Sequence, residues 1–113
     1  MKRGSISERL KTLLINAEHE HEFYKYRMLS QSRMDIYERC NEIRFVECIY
    51  EYLIYAEDIS KETVDALLKC KNDIFMTLYR VYLEHEYTSI DTWKDIENLI
   101  MVLSAEQENW TEL

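Results

Sequence analysis

The sequence of 113 residues has no proline and a single glycine, Gly4. Sheets need turns, and turns lean on Gly, Pro, Asn and Asp. A chain this poor in breakers is built from helices joined by short loops. The glycine-rich phosphate loop and the glycine-flanked nucleophile elbow are excluded with the glycines. No run of about 18 uncharged apolar residues occurs, which predicts no membrane-spanning segment. Lys2 and Arg3 are not followed by an apolar run, so no signal peptide is expected. Cys40, Cys48 and Cys70 are an odd number without C-x-x-C spacing. They read as reduced, mostly buried thiols of a cytoplasmic protein, a reactive thiol or a metal ligand being the other reading.

What is present is apolar, acidic and rich in tyrosine. A hydrophobic fraction of 47% with 32% charged residues is that of a globular chain, and the length suits one domain with one core, spanning 1–113. The net charge of −8 is unevenly placed. Residues 84–113 hold eight acids and one lysine, a net −7, whereas residues 1–11 are net +3. Direct nucleic-acid binding is therefore not expected, because phosphate contacts need clustered Lys and Arg. An acidic end either keeps the chain soluble or attracts a basic partner surface.

Helical periodicity runs through the chain. Ser5-x-x-Glu8 fits a capping box, and Leu10, Leu13, Leu14, Ala17, Tyr24 and Met28 form a stripe behind it. Ser32-x-x-Asp35 marks the next start. A second helical region covers 33–56, with room for a break near Asn41. Its second half, 45–56, is the most apolar stretch. On a helix, Ile43, Val46, Ile49, Tyr50, Leu53 and Ile54 cover one wide face, and Phe45, Cys48, Tyr52 and Tyr55 cover most of the rest. A strand is the competing reading, since Tyr, Ile and Val favour strands, but no turn residues bracket the run. Asp58 or Ser60 caps a short helix through Val64, Ala66, Leu67 and Leu68. Asn72 or Asp73 begins a fourth, carried by Phe75, Leu78, Tyr79, Tyr82 and Leu83. Ser89 or Asp91 caps a last one, with Trp93, Ile96, Ile100 and Leu103 inward, and 104–113 is expected to fray. The expected fold is all-α, an irregular bundle of about five helices with the second one central.

Chemistry has little to stand on. Glu18, His21 and Glu22 share a helix face, but di-iron bundles use Glu-x-x-His twice and this chain has it once. A metal-dependent enzyme at these three residues is the weaker alternative to a half-buried histidine beside solvated glutamates. No catalytic residue, metal site or cofactor is predicted. The nine tyrosines carry more, because tyrosine is enriched at interfaces, although it also tops off small cores. The expected function is a non-enzymatic protein-binding module that meets a basic partner surface through Tyr52, Tyr55, Glu84, Glu86, Tyr87, Asp91 and Asp95. The alternative is a structural homo-oligomer that buries Phe45, Cys48, Tyr52 and Tyr55 between copies.

Glu18…Tyr24, Ile36-Tyr37-Glu38-Arg39, Ile49…Leu53, Asp58-Ile59-Ser60…Ala66-Leu67-Leu68 and Asp73…Leu78-Tyr79 together resemble the domain-of-unknown-function family numbered 3848. Its members are small acidic helical proteins of gut Firmicutes and their mobile elements. The resemblance spans about residues 6–100. This chain departs from the family in having Ser30-Gln31-Ser32 where a proline is common, in more tyrosine and in a longer tail. The resemblance implies no catalytic residues. It implies a mobile-element setting, in which small acidic proteins often inhibit host defence enzymes such as CRISPR effectors.

Overall fold

The computed structural model describes residues 8–71, 73–85 and 90–110. Six helices account for most of them: α1 (Glu8–Leu29), α2 (Arg33–Glu38), α3 (Cys40–Tyr55), α4 (Lys61–Leu68), α5 (Ile74–Glu84) and α6 (Trp93–Trp110). No strand occurs among the described residues. The extra helix relative to the expected five comes from the second region, which bends at Arg39 (φ −101°, ψ 13°). Its amide still donates to Asp35 O and Ile36 O, both at 3.1 Å, so the bend costs the backbone few hydrogen bonds.

Local chemistry sets several of the helix ends. Ser32 Oγ accepts from the Asp35 amide at 3.1 Å, and Ser60 Oγ accepts from the Thr63 amide at 3.1 Å. Both are N-caps that satisfy orphan donors of a first turn. Ser5 lies outside the described residues. The α4–α5 connection turns through Lys71 at φ 58°, a left-handed conformation that glycine adopts without strain.

The start of α5 is closed from a distance. Its N-cap, Asp73, makes no side-chain cap hydrogen bond. Instead the Ile74 and Phe75 amides donate to the two carboxylate oxygens of Glu20 on α1, at 2.7 and 2.8 Å. Burial holds the Glu20 carboxyl above its usual range, overriding these two amides, which pull it down. A second link runs from α1 to α4, where Arg9 Nη2 approaches Asp65 Oδ1 to 2.7 Å, close enough for an ion pair although off the line of a hydrogen bond.

α3 is the central element, packed against α1, α2, α5 and α6. It buries Phe45, Val46, Ile49, Tyr52 and Leu53, while Ile43 and Tyr50 are only partly buried. The inward face is therefore rotated towards Phe45 and Tyr52 relative to the sequence expectation. Each large side chain fully buried here contributes about 1.5–3 kcal/mol over leaving it exposed. α6 closes the opposite side against α4 and α5 through Ile96, Leu99, Ile100 and Leu103.

Residues 104–110 continue α6 instead of fraying. Gln107 is 0% exposed, and its amide nitrogen donates to Ala66 O at 2.7 Å. That bond fastens the last turns of α6 to α4. No helix among the described residues is long and apolar enough to cross a membrane.

Candidate functional site: an acidic aromatic cleft

The structure separates the residues that the sequence grouped as a recognition face. Tyr52 is 0% exposed. Its ring meets Trp93 of α6 edge-on, with centroids 6.0 Å apart and planes at 75°. Its hydroxyl donates to Glu97 Oε2 at 3.3 Å, and burial, with Glu97 beside it, pushes that hydroxyl up to about 12. Tyr52 is thus a core residue and not a partner contact. The sequence reading failed here because a helical wheel shows two apolar sides without showing what covers the second. α6 and α5 cover it.

Phe45 is buried as well, under Tyr79 and Tyr82 of α5 at centroid distances of 5.2 and 5.0 Å. Self-association through Phe45, Cys48, Tyr52 and Tyr55 as a set is therefore not available to the folded chain. Cys48 is half-buried, and Tyr55 alone of the four is open, at 68%. Of the thiols, Cys40 is exposed and only Cys70 is buried, which corrects the expectation of mostly buried cysteines. Burial is the first cause that pushes the Cys70 thiol up to about 12.

The acidic end is largely occupied with its own structure. Asp95 Oδ2 accepts from the Asp91 and Thr92 amides at 2.9 and 3.0 Å, and the Asp95 amide donates to Thr92 Oγ1 at 3.3 Å. These bonds cap α6 in the place of Asp91. They also hold the Asp95 carboxyl below its usual range, the Asp91 amide contributing most. Glu84 and Glu106 both pair with Arg80, at 2.8 and 3.4 Å, and Glu106 also meets His85 at 3.2 Å. Glu86, Tyr87 and Ser89 lie outside the described residues.

Glu18, His21 and Glu22 do not form a constellation. The His21 ring stacks on Tyr50 of α3 at 3.9 Å, with planes 3° apart, and its Nε2 lies 2.7 Å from Glu47 Oε2. Glu18 and Glu22 are exposed. Among the described residues no three His, Cys, Asp or Glu side chains come together to hold a metal ion.

One concave site does gather predicted residues. A cleft of about 170 Å³ opens between α3 and the start of α6. Cys48 and Glu51 line it from α3, Trp93 and Ile96 from α6, and Ile90, Asp91 and Thr92 from the segment before α6. Glu51 and Asp91 are exposed, and Trp93 is 46% exposed. Tyr55 lies one helical turn beyond Glu51, on the same side of α3. Arg44 lies on that side too, two turns before Glu51. The sequence pointed to Tyr55, Asp91 and Cys48 but missed Glu51 and Trp93. Nothing local singles out Glu51 among the many acids of this chain, and Trp93 read as core.

A second hollow, of about 190 Å³, lies on α1 among Glu22, Lys25, Tyr26 and Leu29. Tyr26 and Leu29 are exposed there, and α2 exposes Met34 and Tyr37 next in sequence. No protein-family model, curated protein or solved structure matches the chain.

Proposed function

We propose that this protein is a non-enzymatic binding module that meets a basic partner through the acidic, aromatic surface between α3 and α6. The cleft carries the reading: Glu51 and Asp91 stand beside a partly exposed tryptophan, with open Tyr55 one turn away. Carboxylates draw a cationic surface in and set its register, and rigid aromatics supply contact area at low entropic cost. An inhibitor of a host defence enzyme is one form such a module takes, and that form rests on the family resemblance alone. The test is affinity capture at about 50 mM salt, where electrostatic attraction is little screened, followed by titration of the purified partner at rising salt. Binding should weaken with salt and be lost in the Glu51→Lys, Asp91→Lys double variant. A partner that is insensitive to salt, or no partner at all, removes the reading.

Self-association is the second reading, and the exposed Tyr26 and Leu29, which line one hollow on α1, favour it, since exposed apolar surface marks interaction sites. It uses residues other than those expected from the sequence. Light scattering that shows only monomer across micromolar concentrations would remove it.

A further inference from the structure

We infer that the cleft between α3 and α6 is the seat of a single arginine side chain of the partner, an inference that rests on the basic-partner reading above. Size comes first. At about 170 Å³ the cleft is smaller than the roughly 300–1,000 Å³ of cofactor and small-molecule sites, so it suits one long side chain. Its lining comes next. Ile90, Ile96 and Cys48 make apolar walls along which an aliphatic stem can lie. Trp93 offers an aromatic surface to a cation, and Glu51 and Asp91 offer carboxylates to a charged fork.

A guanidinium answers all three features at once. It is planar, stacks on aromatic rings, bonds carboxylates through two nitrogens and sheds water more readily than an ammonium group. Lysine would answer the charge and leave the flat indole poorly used.

The site is also prepared in advance. Tyr52 packs on Trp93 from within the core, which fixes the indole before any partner arrives and lowers the cost of binding. Asp95, in the first turn of α6, bonds the Asp91 and Thr92 amides just ahead of the helix, and its carboxylate offsets the positive end of that helix, which then opposes an incoming cation less.

The experiment uses a blocked nonapeptide with two arginines in a glycine–serine background, beside citrulline and lysine versions, titrated at low salt and followed by NMR. The arginine peptide should shift the Trp93 indole N–H and the Glu51 amide, the citrulline peptide should not, and the lysine peptide should bind more weakly. Trp93→Leu and Glu51→Gln should each weaken binding about two- to fivefold, the range of an exposed cation–π or ion-pair contact. Glu38→Gln, on α2, should leave it unchanged. Because Trp93→Leu also touches the core, exposed Glu51 supplies the variant that cannot fail merely by unfolding. Equal losses in Glu38→Gln and Glu51→Gln with an unmoved indole would overturn the cleft assignment and leave the basic-partner reading standing. Equal binding of the lysine peptide would overturn the choice of arginine. No binding of any cationic peptide would overturn both readings.

Discussion

α2 and α3 are neighbours in the chain, parted by Arg39 alone, and they are held in opposite ways. α3 buries five side chains, while α2 buries none. A two-turn helix has almost no stability of its own in water. α2 therefore rests on the Ser32 cap and on its tether between α1 and α3. The contrast separates two kinds of exposed aromatic. Tyr37 is open because α2, which touches α3, buries no side chain against it. Tyr55 is open on a helix fixed along its whole opposite side, and so it can present a surface of defined shape.

The largest test of this contrast compares Tyr52 with Tyr37. Tyr52→Ala should cost about 3–5 kcal/mol, as large-to-small changes at fully packed aromatic sites do. Tyr37→Ala should stay within about 0.5 kcal/mol. Chemical denaturation measures both, and a similar cost for the two would mean that α2 is held by contacts like those of α3.

Next in size is Glu20, which caps α5 from a distant helix, whereas α2 is capped only locally by Ser32. Glu20→Ala should cost about 1–3 kcal/mol by leaving two amides of α5 without their acceptor. Its pH dependence has a definite sign. The folded-state pKa of Glu20 is raised, so the folded chain binds this proton more readily than the unfolded chain. Stability from this group is then greatest below the unfolded carboxyl range and falls as pH rises through the window up to the raised value. Glu20→Gln removes that slope, so melting curves from about pH 4 to pH 7 should move in favour of the variant relative to the native chain.

Ser32→Ala should act almost wholly on α2, at about 1 kcal/mol. Amide exchange in α2 should speed up several-fold, while amides of α3 keep the rate set by global unfolding. Lys71→Gly acts at about the same size in the opposite direction. Relief of the left-handed residue should stabilise the chain by about 1 kcal/mol, read as a rise of a few degrees in melting temperature.

The parts of this fold that could be read from sequence were the local ones. Ser32 and Ser60 cap helices through bonds three residues long, so a short motif suffices to find them. The break in the second region was expected near Asn41 and falls at Arg39, without proline or glycine to mark it. Glu20 was invisible because its partners lie 54 and 55 residues away. Gln107 misled because a polar residue at the end of a helix reads as solvated, and nothing local shows that Ala66 O awaits it. The cleft was half legible. Asp91 and the nearby Tyr55 stood out by composition, but that Glu51 and Trp93 line one cleft is a product of how α6 packs on α3.

The two carboxylates at the helix starts have one more consequence. The first turn of a helix is where proteins commonly gather phosphate, through bare amides and the positive end of the dipole. At α5 two of those amides already hold Glu20, and at the start of α6 the Asp95 carboxylate already bonds the Asp91 and Thr92 amides just ahead of the helix. A phosphate group or nucleic-acid backbone offered to either place meets a carboxylate bonded twice over, with like charge added to the competition. At these two helix starts the chain supplies its own anion from within.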